Sequence, residues 1–434
     1  MEDATEYKVY GYRWVVLAAY GVVLFIEGFL WLTFAPIETE VQRALGVSAF
    51  RILLLGLVGL FVSILLAPLA GSISDNKGFK FAVGFGVVVT AVSGVLRAIT
   101  PHVTSSGHAQ YWAYFFLQML GGLGAIFVLV NLSKMPIKWF PEDQRATATG
   151  LATVSALLGN GIAFPIVVAI ANIPEHASKA VVQAGLNRVL TFTAVLPVAA
   201  ALLFFLFARE EPPTPSGSFP EEIRVRLRES IPKLARSSTF LAMAFVSLIG
   251  YGVFQSLTLK MEKVITFHGP VFTKGFASLV AMSITISGIV GLIVLTQLSD
   301  RIGRRKPFLV AAAVVVIPCL VLVGIVPSKT LNLIGAVLMG FFLLAALPIS
   351  YTIVGELPEI GPFLAATGVG VLTSIGDIGS VAIPALMELI AIKKTAEVID
   401  YRWAIFMFAC LGVVALLGVI FWVKETGPKG RSVL

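Results

Sequence analysis

The stretch Gly71-Ser-Ile-Ser-Asp75-Asn-Lys77-Gly78-Phe-Lys80 follows one long apolar run, and Gln297-Leu-Ser-Asp300-Arg301-Ile-Gly303-Arg304-Arg305-Lys306 follows another. The two aspartates are 225 residues apart, and Gly78 is separated from Gly303 by the same number. In both stretches the glycine permits a tight turn, and the aspartate can face the positive end of a neighbouring helix. A motif that recurs at one offset indicates a protein built from two related halves.

Apolar runs surround both motifs, and each is long enough to cross a hydrocarbon core about 30 Å thick. The first six lie near 14–36, 52–71, 79–100, 111–136, 146–171 and 187–208, and the second six near 238–259, 276–298, 307–326, 331–353, 364–391 and 403–423. The runs predict an all-α membrane protein with 12 transmembrane helices. We expect two six-helix bundles related by a pseudo-two-fold axis, residues 1–208 and 238–434. A polar linker at 209–237 would join them and carry a short surface helix at 221–236.

The composition supports lipid as the solvent. Hydrophobic residues make up 57% of the 434 residues and charged residues only 13%, whereas soluble domains have about 25% charged residues. The net charge of +8 comes from basic residues in short loops, so we expect topology rather than nucleic acid to explain it. The basic clusters at 224–236 and 301–306 predict that both termini are cytoplasmic.

The glycine–aspartate motif resembles the signature loop of the major facilitator superfamily. The resemblance implies a secondary transporter that works by alternating access. It also implies that Asp75 latches the two halves on the cytoplasmic side, against the start of the eleventh helix near 364–368. The residues assigned to the two gating loops are Gly71, Asp75, Gly78 and Lys80 in the first, and Asp300, Arg301, Gly303 and Arg304 in the second.

A narrower group is suggested by short patches of sequence. These are Arg13-Trp14-Val-Val-Leu, Gly28-Phe29-Leu-Trp31, Trp139-Phe140-Pro141, Glu211-Pro-Pro-Thr-Pro215 and Gly252-Val253-Phe254-Gln255-Ser256. They resemble the feline leukaemia virus receptor-related transporters, a group that implies choline-like amines, haem or vitamin-like aromatic amines as substrates. Gln255 stands where an aromatic residue is expected, which argues against choline itself.

Two carboxylates fall at mid-membrane positions. Glu27 lies about 14 residues into the first span and Asp377 about 14 into the eleventh. Because a charge in the bilayer costs several kcal/mol, such residues are functional candidates by default. Glu27 and Trp31 share one helix face and together suit an amine, through charge pairing and cation–π attraction. The alternatives are that Glu27 pairs with a basic residue, that Asp377 bonds to neighbouring backbone, or that either one couples transport to protons.

Further candidates for substrate contact are polar or aromatic residues within the spans, although Asn and Gln also join helices structurally. They are Gln118, Asn131, Asn160, Phe254, Gln255 and Thr258. We expect Arg97, Lys134 and Lys260 to lie near helix ends and to extend to the lipid headgroups. The absence of a basic residue from the middle of any predicted span argues against an anionic substrate.

The predicted function is secondary transport of a small organic solute, an amine, a zwitterion or a vitamin-like molecule, with coupling to protons. A carboxylate, organic-anion or drug transporter and a lipid flippase are the alternatives of the same fold. No catalytic or metal-binding motif appears in the sequence, so we expect neither an enzyme nor a cofactor or metal site. We expect a monomer in a prokaryotic plasma membrane, in contact with its lipid bilayer.

Overall fold

The computed structural model of the protein describes residues 8–174, 177–214, 227–269, 271–357, 364–393 and 399–431. The helices of its first half are α1 Arg13–Trp31, α2 Glu38–Leu45, α3 Ala49–Lys77, α4 Phe79–Val103, α5 Gly107–Leu129, α6 Lys134–Trp139, α7 Arg145–Ala171 and α8 Lys179–Phe207. The linker contributes α9 Leu227–Arg236.

The second half has six long helices, a short hairpin and a short final helix. Its elements are α10 Ser238–Thr266, α11 Lys274–Ile302, α12 Lys306–Gly324, α13 Lys329–Glu356, α14 Ala365–Ile390, β1 Ile392–Lys393, β2 Ile399–Asp400, α15 Arg402–Trp422 and α16 Pro428–Arg431. Among the residues described, 12 helices are long and apolar enough to span a membrane, six in each half. The chain is therefore a multi-pass membrane protein with its predicted all-α architecture. Helices suit this solvent because lipid offers backbone groups no hydrogen-bond partner.

An even number of spans places both ends of the chain on one face, which we call the terminal side. The turns after α3 and α11 lie on this face, as does α9. Close packing within each half depends on small residues. A side chain at Gly159 of α7 would overlap the carbonyl oxygen of Phe25 on α1, and a side chain at Gly379 of α14 would overlap that of Leu248 on α10.

Several boundaries differ from the predicted spans; α3 and α10, for example, continue to Lys77 and Thr266 rather than ending at 71 and 259. The run at 111–136 is not one helix, because α5 ends at Leu129 and passes through a 3-10 turn into α6. Pro136 has no amide hydrogen with which to continue the helix across this point. The first span ends at Trp31 rather than at residue 36, and α8 begins at Lys179, capped by Ser178, rather than at 187.

Two short elements outside the spans also differ from the prediction. Helix α2 was not predicted, because its polar sequence leaves no apolar run to find. Of the predicted linker helix, the structure describes Leu227–Arg236, and residues 221–226 lie outside the described part of the chain.

Candidate functional site

Asp75, at the terminal-side end of α3, bridges the two halves. Its carboxylate accepts hydrogen bonds from the backbone N–H groups of Ala366 (3.1 Å) and Thr367 (2.7 Å) and from the Thr367 hydroxyl (2.5 Å). These amides begin α14, where a helix leaves N–H groups without partners and presents its positive dipole end. Lys134 adds an ion pair at 3.6 Å. The side chain thus joins α3 to α14 at the residues that the sequence indicated.

Asp300 makes the equivalent contact between α11 and α7. It accepts hydrogen bonds from the backbone N–H groups of Ala146 (3.2 Å) and Thr147 (2.6 Å) and from the Thr147 hydroxyl (2.6 Å). The contact therefore repeats across the pseudo-two-fold axis, with each half supplying one aspartate and one helix start. Together the two contacts join the halves at the terminal side.

Arg305 lies at the centre of the second contact and was not among the predicted site residues. It is fully buried and pairs with Asp300 at 2.5 Å and with Glu356 at 3.2 Å, and its Nη2 donates to the Glu142 carbonyl at 2.9 Å. Burial alone would lower the pKa of the guanidinium, but the two carboxylates outweigh burial and raise that pKa. The repeat could have identified Arg305 as a site residue, because Arg305 lies 225 residues after Lys80, the same separation as between the two aspartates.

The other loop residues shape the turns. Gly78 and Gly303 have φ of 95° and 71°, values that residues with a side chain rarely adopt. Lys80 contributes its backbone N–H, which donates to Glu210 at 2.6 Å. The predicted residues Arg301 and Arg304 are exposed, whereas Arg305 beside them is buried.

Two glutamates cap the helices that follow these turns. Glu210 accepts from the backbone N–H groups of Phe79 (2.9 Å) and Lys80 (2.6 Å) at the start of α4 and pairs with Lys138 at 2.9 Å. Burial would raise the pKa of Glu210, but Lys138 and the two amides outweigh burial and hold the pKa below its ordinary value. Glu425 caps α12 in the same way, accepting from the Arg305 N–H at 2.6 Å.

Glu27 lies inside the first half, opposite α4 and α5. The charge of Arg97, on α4, acts on its carboxylate without a direct ion pair in the described structure. Nη1 of Arg97 donates to Oε1 of Gln118 on α5 at 2.6 Å. An acid, a base and an amide from three helices therefore share one interior region.

Several buried polar atoms in this region have no hydrogen-bond partner among the described residues. They are Oε1 of Glu27, Nε of Arg97 and the hydroxyl of Tyr114, and the Thr90 hydroxyl lies beside the Glu27 carboxylate. Thr90, Arg97 and Tyr114 are at most 2% exposed. Buried polar groups in folded proteins are normally paired. An unpaired donor and unpaired acceptors beside opposite charges are what a polar ligand would require.

Two of the three basic residues expected to extend to the headgroups, Arg97 and Lys134, are buried inside the protein, and for them that prediction is wrong. Arg97 is 2% exposed and Lys134 3% exposed. Lys134 donates to the Ser74 carbonyl at 2.5 Å, and Lys260 forms an ion pair with Glu388. Arg97 and Lys134 have polar partners inside the protein, and extension into the headgroups would break those contacts, whereas the Lys260–Glu388 pair is partly exposed. The argument against anionic groups in the substrate therefore loses its basis.

The remaining first-half candidates divide between two places. Trp31 is 39% exposed, lies one turn from Glu27 and covers Gly59 of α3. Asn160 has a buried, unpartnered Oδ1 and follows Gly159, whose backbone meets Phe25 of α1. Asn131 is elsewhere: it accepts from the Ser74 hydroxyl at 2.6 Å and donates to the Phe127 carbonyl at 2.8 Å, beside the Asp75 contact.

The second-half candidates lie on α10, and no described contact joins them to Glu27. Phe254 and Gln255 are half-buried, and Thr258 is exposed with its hydroxyl donating to the Phe254 carbonyl at 2.9 Å. Asp377 lies on α14 and is 5% exposed, with Ser63 of α3 beside its carboxylate. It is separate from the Glu27 region and belongs to the boundary between halves.

Comparisons with known proteins agree with this architecture. Residues 20–384 match the family model described as the Major Facilitator Superfamily. The chain is 27% identical over 311 residues to solute carrier family 49 member A3 of Xenopus tropicalis, covering 70% of this chain and 62% of that protein, slightly less than two thirds. It is 24% identical over 374 residues to the choline/ethanolamine transporter FLVCR2 of Homo sapiens, covering 82% and 68%.

A solved structure has the same fold. The major facilitator transporter FucP in its outward conformation aligns with a TM-score of 0.74 at 14% sequence identity. The alignment covers 94% of this chain and 99% of that one.

Proposed function

The chain belongs to the Major Facilitator Superfamily, a family of membrane transporters rather than enzymes, and from this we propose that it carries a small zwitterion or amine across the membrane by alternating access. Glu27 and Trp31 would contact the cationic group, with Arg97 and Gln118 beside them for a carboxylate. The observation that carries the proposal is the pair of opposite charges inside the first half, beside which Oε1 of Glu27, Nε of Arg97 and the hydroxyl of Tyr114 lack partners in the described structure. The name of the related choline/ethanolamine transporter supports a substrate with an amine.

A zwitterion fits these residues better than a simple cation. Arg97 partly cancels the attraction of Glu27 for a cation, whereas a ligand with both charges satisfies both side chains. Gln118 accepts a hydrogen bond from Nη1 of Arg97, and Nε of Arg97 remains unpartnered in the described structure. Donors such as guanidinium nitrogens match the oxygens of a carboxylate.

The cellular setting is part of the same proposal. We propose that the terminal side faces the cytoplasm, because its turns carry basic residues such as Lys77, Arg301 and Arg304. We further propose a monomer in a prokaryotic plasma membrane, with protons as the coupling ion.

An organic anion is the second candidate substrate, and one observation favours it. Arg97 is a buried base with an unpartnered nitrogen, as an anion site requires. Glu27 would repel such a ligand unless the carboxyl were protonated, so this candidate ranks below the zwitterion.

Binding can be measured by thermal stabilisation of the purified full-length chain at pH 5 and pH 8. The probes are matched pairs that differ in one charged group, glycine betaine with choline and β-alanine with ethanolamine. A ligand at about 100 times its Kd stabilises the folded protein by about 2.7 kcal/mol. We expect the zwitterion of a pair to raise the melting temperature more than its partner does, and Glu27→Gln to remove both effects.

Glu40→Gln is the matched control, because Glu40 lies on α2 and pairs only with Arg43 in the described structure. It should leave the ligand shifts unchanged. Stabilisation by acetate and propionate alone would move the assignment to the organic anion. Unchanged amine shifts in Glu27→Gln would remove Glu27 from the binding site.

A further inference from the structure

Asp377 is a buried carboxylate without a counter-ion in the described part of the chain. The groups around it are hydroxyls: Ser63 from α3, Tyr251 from α10 and Tyr351 from α13. The two tyrosine hydroxyls hydrogen-bond to each other. No lysine, arginine or histidine that the structure describes forms an ion pair with Asp377, whereas Glu27 has Arg97 nearby. An unpaired ionised carboxylate is expensive to bury, so the neutral acid is favoured here.

The burial of Asp377 depends on contact between the two halves. One turn before it, the Ser374 hydroxyl donates to the Ser63 carbonyl at 3.2 Å. Further toward the terminal side, a side chain at Gly370 would overlap the carbonyl oxygen of Ala67, and Asp75 then bonds to the start of α14. These contacts form a continuous boundary between α3 and α14, which we call the α3–α14 seam. Opening this seam would expose Asp377 to water.

The equivalent boundary between α7 and α11 has no such carboxylate. Thr367 corresponds to Thr147 at an offset of 220 residues, and the same offset places Leu157 opposite Asp377. The offset of 225 places Gly288 opposite Ser63. The fold therefore does not require an acid at this position, and its presence in one seam needs a different explanation.

We propose that Asp377 binds a proton whenever the α3–α14 seam is closed, so that proton binding favours the state that is shut on the terminal side. Loss of the proton leaves a buried charge and favours opening of the seam. The proton and the seam then shift each other's equilibrium by the same factor. This inference rests on the proposed function, because it assigns the coupling step of the carrier to Asp377 rather than to Glu27.

The test follows the seam without any substrate. Spin labels at Lys77 and Arg301, both exposed at terminal-side helix ends, report the distance between halves after the native Cys319 and Cys410 are replaced. We expect the ratio of open to closed molecules to rise about tenfold from pH 5 to pH 8, as a one-unit difference in proton affinity between the two states requires. Asp377→Asn should remain closed at both pH values.

Two further variants make the result decisive. Asp377→Leu introduces the residue type found at the equivalent position, Leu157, and its open-to-closed ratio should also be independent of pH. It provides a second test if Asp377→Asn does not fold. Glu27→Gln should keep the wild-type pH response. A pH response that survives in both Asp377 variants would overturn the proposal, as would a wild-type protein that responds to Na⁺ at constant pH and not to protons. Amine binding in these experiments is not required, so failure here leaves the zwitterion site standing.

Discussion

Arg97 and Glu27 each place a charge in an interior that has little water to solvate it. Removing one charge leaves the other uncompensated, and breaking a buried pair costs up to about 3–5 kcal/mol. Because the two side chains do not touch, we expect a smaller coupling of roughly 2 kcal/mol. Glu27→Gln and Arg97→Gln should each lower the unfolding free energy. The loss in the double variant should be smaller than the sum of the two single losses. A double-mutant cycle in chemical unfolding measures this term, and additive losses would show that the charges act independently.

At the scale of single residues, the sequence predicted that Glu27 and Asp377 lie within spans, but it did not predict which side chains they or Arg97 contact. Glu27 and Asp377 stood out because an acid in an apolar run is costly. Arg97 was misplaced because hydropathy gives its depth along the helix but not the direction in which its side chain points. Arg97 is near the end of α4, yet it turns inward to Gln118 instead of outward to lipid. Only the packing of α4 against α5 fixes that direction.

The α3–α14 seam depends on backbones that approach closely where glycine leaves space. A methyl group at Gly71 would overlap the Ala366 carbonyl and would lie 2.7 Å from the Thr367 Cα. Overpacking of this kind costs about 1–3 kcal/mol. We therefore expect Gly71→Ala to lower the melting temperature and to increase the open fraction in the Lys77–Arg301 distance measurement.

Gly56→Ala is the matched control on the same helix, since a methyl group there meets nothing within 4 Å. It should be neutral or slightly stabilising, because alanine favours helix over glycine by up to about 1 kcal/mol. Equal losses in the two variants would mean that helix propensity, not the seam, governs the effect of Gly71.

The sequence located the polar turns after α3 and α11, but both helices continue past the end of the apolar run, to Lys77 and Ile302. Element boundaries were also not predictable where an apolar run continues past the end of its helix. Around Asn131 the chain stays apolar, but the asparagine bonds to Ser74 and the helix breaks before Pro136. Helix α2 was not predicted for the opposite reason, because a polar helix produces no apolar run in the sequence.

In the whole molecule, the segment that follows the last span of each half is bonded to the start of that half's third span through one glutamate, Glu210 or Glu425. The lowered pKa of Glu210 makes its contact dependent on pH. The folded carboxyl binds protons more weakly than the unfolded one, whose pKa is about 4.3, so its contribution is complete above that value and is lost as pH falls through the folded pKa. Glu210→Gln should cost about 1 kcal/mol at neutral pH, as loss of a helix cap does.

Melting temperatures of the wild type and Glu210→Gln should therefore converge as the pH is lowered below 4. Glu211→Gln is the control, because Glu211 is 67% exposed and lies 3.7 Å from Lys138, and exposed pairs contribute little. A constant difference between wild type and Glu210→Gln across this pH range would contradict the proposed role of the charge.

The two-fold repeat explains why the architecture could be read from the sequence at all. One offset relates Asp75 to Asp300, and it would also have identified Arg305 from Lys80 and Glu356 from Asn131. What the repeat cannot predict is where the halves diverge. Asn131 and Lys134 serve one seam where Glu356 and Arg305 serve the other, and a substrate site formed within one half has no counterpart to compare.

The order of contacts along α3 has a consequence for leakage. Asp75 lies 12 residues beyond Ser63, about 18 Å along the helix, so its bonds to α14 stand between Asp377 and the terminal face. If Asp377 carries the proton as proposed, that proton reaches the terminal face only after the bonds from Asp75 to Ala366 and Thr367 have broken. A carrier arranged in this way would dissipate little of an ion gradient while idle, and damage at Asp75 would appear first as a wasteful proton current.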